Sequence, residues 1–128
     1  MQQSAYTVES SKGFEETALA VEAKSKEKGF NILAVCDVKA SIRSKGFSRD
    51  PIRVIEVCSA KYVNHALAKD LRRSLVLPCP VIVYTQAGKT YICAPRRRTL
   101  ADCYRAPGMA EIADEIDRIV TTVVDEAR

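Results

Sequence analysis

Apolar and polar positions alternate weakly in "AYTVES" near the start of the chain, which predicts a first strand. A helix is expected from about Phe14 to Lys28. Gly13 can stand at its N-cap, Glu15 and Glu16 suit its positive end, Phe14, Ala18 and Val21 form its apolar stripe, and Gly29 ends it. "NILAVCD", Asn31 to Asp37, is almost continuously apolar and of strand length, so it reads as a central strand buried on both faces. A short helix then starts at an Asp37 cap and stops at Gly46. "PIRVIEVC" is a third strand, with Pro51 tolerated at its start. Ser59 caps a helix to about Leu71, with Tyr62, Val63, Ala66 and Leu67 on one side and His65 turned away, towards solvent.

"CPVIVYTQAGKTYICA" is the clearest hairpin, turning near Gln86 to Gly88. Pro95 suits the first position of a helix to about Tyr104, which "APG" breaks. The last helix, Met109 to about Ala127, has the strongest periodicity. Ile112, Ile116, Val120 and Val123 lie in one broad stripe that must pack on a sheet or on a partner subunit. The order of elements fits an α+β fold: a largely antiparallel sheet of about five strands with helices packed on one face.

The chain has 128 residues, 47% hydrophobic and 28% charged, which suits a single domain over residues 1–128 and excludes a disordered or collagen-like chain. No apolar run approaches the length of a membrane span and the N-terminus lacks the pattern of a signal peptide, so a cytoplasmic protein is expected. Charge is unevenly placed, with +1 over residues 1–50, +7 over 51–108 and −4 over 109–128. A basic middle and an acidic end that meet in the fold would leave little for nucleic acid. Trp is absent and no stretch interleaves aromatic with basic residues, so nucleic-acid binding is not expected.

Five cysteines without an export pattern argue for thiols rather than a disulfide framework. Cys36 and Cys93 lie inside apolar strands and read as core. Cys58 closes one strand and Cys79 opens the next, so antiparallel neighbours would bring both to one edge of the sheet. Pro78 and Pro80 would stiffen the approach to the second thiol. Two such thiols could fill a core, form a reversible disulfide, or hold a soft metal or a haem-like cofactor. Arg96, Arg97 and Arg98 stand at a helix start and oppose its dipole, so they call for something negative. That is either an anionic ligand or Glu111, Asp114 and Glu115 of the last helix.

The succession "FEETALAVEAKSKEKGFNILAVCDVKASIRSKG", "RVIEVCSA" and "LPCPVIVY" resembles the small bacterial and archaeal domain catalogued as domain of unknown function family 302. Its marks here are the Gly29-Phe30 helix exit, Glu56 to Cys58, and Leu77 to Cys79, within a likeness from about Phe14 to Val120. The resemblance implies an α+β fold of the TATA-binding-protein class, with a curved antiparallel sheet backed by helices, and a homodimer. It implies no activity. The leading expectation is a non-enzymatic homodimeric binding protein that takes a small ligand, a soft metal or a haem-like cofactor near Cys58 and Cys79, with Arg96 to Arg98 as a further ligand-binding group. The alternatives are a thiol-disulfide redox protein using the same two cysteines, or a purely structural or interaction module that dimerises through the last helix.

Overall fold

The computed structural model describes residues 4–76, 79–104 and 108–128. Its strands are β1 (Ala5–Ser10), β2 (Asn31–Asp37), β3 (Ile52–Cys58), β4 (Cys79–Gln86) and β5 (Lys89–Pro95). Its helices are α1 (Phe14–Glu27), α2 (Val38–Arg43), α3 (Ala60–Lys69), α4 (Arg97–Tyr104) and α5 (Met109–Ala127), with a 3-10 segment over Leu71–Val76. The strands form one sheet in the order β1-β5-β4-β3-β2, and every neighbouring pair is antiparallel. The fold is α+β, as the order of elements predicts.

Local chemistry explains several boundaries. Gly29 takes φ +87°, its N–H bonds to Lys26 O at 3.1 Å, and the N–H of Phe30 bonds to Ser25 O at 2.9 Å. This left-handed exit satisfies the last carbonyls of α1 and drives Phe30 into the core. Asp37 caps α2, its carboxylate accepting from Ala40 N at 3.0 Å. The hairpin between β4 and β5 turns on Ala87 (φ 52°) and Gly88 (φ 77°), the left-handed pair that a two-residue turn needs.

One face of the sheet is buried under α1 and α5. Ile55, Val81, Val83 and Ile92 meet Val21 of α1 and Ile116 and Val124 of α5 there. The stripe of α5 therefore covers its own sheet, which corrects the alternative that gave this helix to a partner subunit. The helix-free face carries Val54, Ile82 and Cys93 in one row across the strands, beside stacked Tyr84 and Tyr91 at 5.3 Å.

Three other expectations are corrected. β2 is not a central strand but the outer one beyond β3, and only Ile32 along it is even partly buried. A nearly continuous apolar run was expected to be covered on both sides; here one flank and most of both faces are open. Consequently Cys36 is exposed, and Cys93 is half-buried on the helix-free face, where it accepts a hydrogen bond from Thr7 Oγ1 at 3.2 Å. Pro95 ends β5 rather than beginning a helix, since its fixed φ suits a strand end as well as a helix start. Pro78 and the Ala106-Pro107 part of the predicted break lie outside the described residues. Among the described residues no helix is long and apolar enough to cross a membrane.

Candidate functional site

Antiparallel pairing of β3 with β4 brings Cys58 and Cys79 to the same end of the sheet, as expected, but one step out of register. The residue opposite Cys79 is Val57. Val57 and Cys79 are both fully buried towards the helix layer. Successive side chains in a strand leave opposite faces, so Cys58 departs from the other side of β3. Both thiols are reduced and buried. Burial pushes the Cys58 thiol up, with the Ser59 N–H pulling weakly the other way. Cys79 is pushed up to about 11, chiefly by burial, against the pull of the Arg97 guanidinium. Desolvation that raises both thiols makes them poor nucleophiles for disulfide exchange.

The two cysteines also differ in what surrounds them. Cys58 lines a groove of about 610 Å³ with Leu33, Ala60, Val63 and Leu67, and the amides of Asn31 and Asn64 flank it. Cys79 does not line this groove; it lies inside, within electrostatic reach of Arg97, Cys58 and Asp117. Sequence reasoning did not single out Leu33, which it read as part of a central strand, or Val63 and Leu67, which it placed with Tyr62 and Ala66 on one side of the helix. The signal was present: Tyr62 with Ala66, and Val63 with Leu67, are two adjacent (i, i+4) rows, and only Ala66 among them is fully buried.

The three arginines part company. Arg96 lies over the Tyr6 ring at 5.3 Å. Arg98 bonds to Asp114 Oδ2 at 2.7 Å and Asp102 Oδ1 at 3.1 Å. Arg97 is 4% exposed, and its Nη2 has no hydrogen-bond partner among the described residues. The start of α4 is already capped by a carboxylate: Asp117 of α5 accepts from Arg97 N at 2.6 Å and from Arg98 N at 2.9 Å. Of the acidic partners expected from the last helix, Asp114 serves, whereas Glu115 instead accepts from Tyr62 OH at 2.8 Å. Asp117 was overlooked, although it follows Asp114 by three residues on the same helical face.

His65 is exposed, as expected, and borders a groove of about 770 Å³ with Lys61, Tyr62, Lys69, Glu111 and Glu115. Among the described residues no group of three or more His, Cys, Asp or Glu side chains is placed to hold a metal ion.

The family described as a domain of unknown function, DUF302, matches residues 6–127. The chain belongs to this family. The crystal structure of an uncharacterized conserved DUF302 protein from Bacillus stearothermophilus is similar to this DUF302 chain at 30% identity and a TM-score of 0.93, covering 99% of this chain and 100% of that one. No curated protein matches. The DUF302 likeness therefore spans the sheet, α3 and the groove beside Cys58, and it brings no activity with it.

Proposed function

We propose that this DUF302 protein is a non-enzymatic binding protein that holds a small apolar molecule in the groove beside Cys58. The supporting observation is the make-up of that groove. Leu33, Cys58, Ala60, Val63 and Leu67 give it an apolar lining, and Asn31 and Asn64 supply amide donors and acceptors at its margin. Largely apolar concavities of several hundred Å³ with a few polar groups are the usual form of small-molecule sites. Such a lining favours an organic molecule over a soft metal or haem iron. Cys58 is the one thiol in the groove, and neither Asn is a competitive soft-metal ligand.

A neutral polarity-sensitive dye, N-phenyl-1-naphthylamine, tests the reading. Saturable one-site binding is expected, weakened about tenfold or more by Leu67→Arg, which costs at least ~1.4 kcal/mol of binding. The variant must keep the wild-type far-UV circular dichroism and thermal transition, because Leu67 is only partly buried. Unsaturable dye fluorescence, or equal affinity in the folded variant, overturns the proposal.

A further inference from the structure

Helices α3 and α5 face one another across the groove of about 770 Å³ that His65 borders, and their two walls carry opposite charge. On α3, Lys61, His65 and Lys69 follow one another at four-residue steps, so two ammonium groups and an imidazole form one row along the helix. On α5, Glu111 and Glu115 make the answering row at the same spacing. Deeper than either row lie Ile112, which is buried, and the half-buried Tyr62 ring.

The rows do not neutralise each other. Among the described residues no ion pair joins them, and the one hydrogen bond across the groove runs from Tyr62 OH to Glu115 Oε1 at 2.8 Å. That bond raises the Tyr62 phenol, with burial adding to the effect, so the hydroxyl keeps its proton and holds Glu115 in place. Helix dipoles account for two of the charges, since Lys69 stands in the last turn of α3 and Glu111 in the first turn of α5. They do not account for Lys61. It stands in the first turn of α3, where a cation opposes the dipole, and Ser59 supplies no side-chain cap to the same turn. A carboxylate beside Lys61 would offset both.

We infer that this groove binds a zwitterion of the amino-acid class, with its carboxylate on the Lys61 row, its ammonium on the Glu111 row and an apolar side chain over Tyr62 and Ile112. The charges select this class. A simple anion is drawn to one wall and repelled by the two carboxylates of the other. A simple cation meets the reverse, and a neutral apolar molecule leaves both rows unused. A metal ion is poorly served too, because among the described residues no three His, Cys, Asp or Glu side chains are placed to hold one. A free amino acid and a short peptide present the same pair of charges at different spacings. The site is separate from the groove beside Cys58, although Asn64 and Ala68 of α3 line both.

Amide chemical shifts of isotope-labelled protein, followed at low salt during titration with L-leucine or L-leucyl-L-leucine, test the inference. Saturable shifts are expected within residues 61–69 and 111–115, and the tighter of the two probes names the source. N-acetyl-leucine, which lacks the ammonium, and leucinamide, which lacks the carboxylate, should each bind about fivefold more weakly, the upper range for one exposed ion pair. These derivatives need no variant. Lys61→Gln and Glu111→Gln, both at exposed positions and expected to keep the wild-type circular dichroism, should each weaken the zwitterion by a similar factor. Lys61→Gln should leave leucinamide binding unchanged. The neutral dye in the groove beside Cys58 should stay bound throughout, so failure here and failure of the dye experiment are told apart. Absence of saturable shifts with both zwitterions, a derivative that binds as tightly as leucine, unchanged leucine affinity in either variant, or displacement of the dye by leucine overturns the inference.

Discussion

Cys79 makes the folded chain sensitive to alkali. Its thiol is 2% exposed, and burial raises it to about 11 while Arg97 opposes the shift. In an unfolded chain a cysteine ionises near ~8.5. Below that pH both states keep the proton and the contribution to stability is intact. As pH rises through the window, the unfolded state sheds a proton that the folded state retains, so stability falls until the folded thiol itself ionises near 11. The loss across the window is roughly 3 kcal/mol. Cys58, also raised by burial, adds to it with the same sign. Urea midpoints measured from neutral to strongly alkaline pH should therefore fall further for the wild-type protein than for Cys79→Val. Parallel curves would assign the alkaline loss to other groups. The sequence put Cys58 and Cys79 at one end of adjacent strands but could not say that they are one step out of register. The connection between β3 and β4 carries α3 and the 3-10 segment, and unlike a tight turn it imposes no pairing offset.

At the scale of elements, one carboxylate of α5 caps the start of α4. Asp117 accepts from two successive backbone N–H groups at the start of α4, replacing a cap that the local sequence "APRRR" does not provide. Asp117→Ala is expected to cost about 1–2 kcal/mol, the scale of a lost N-cap, and Asp117→Asn less, because an amide oxygen can still accept one bond. Denaturant titration reads this as a lower midpoint at an unchanged slope. An Asp117→Ala protein of wild-type stability would mean that solvent caps α4 equally well. The arginine run announced a need for negative charge, and an acidic last helix announced a supply, so the pairing was half legible. Which carboxylate meets which arginine depends on the rotation of α5 about its axis, and that is set by the apolar stripe rather than by the charges. β2 shows the same limit. An apolar run of seven residues specifies a strand, but its place in the sheet follows from topology, and composition alone pointed to the interior.

Across the whole molecule, the order of pairing sets an expected order of folding. β4 and β5 meet through a two-residue turn, whereas β1 must find β5 from the far end of the chain, with Ala5 opposite Pro95. Closing that long loop costs entropy before any contact offsets it, so local pairings come first. The hairpin also carries Val83 opposite Ile92, both fully buried against α1 and α5, and so brings together the middle of the core. Val8, at 8% exposure, joins the same core only when β1 docks beside β5. In stopped-flow chevrons Ile92→Val and Val83→Ala should slow folding, with φ-values of roughly 0.5 or above, while Val8→Ala should mainly speed unfolding, with φ of roughly 0–0.3. Ionic contacts made late would reinforce this pattern. The last turn of α5 reaches the C-cap of α1 through Glu126 and Lys28 at 3.1 Å and reaches β1 through Asp125 and Tyr6, so it can close only when both are in place. A high φ at Val8 would show instead that the chain ends associate before the hairpin, and that the distant β1–β5 pairing, not the local turn, nucleates the sheet.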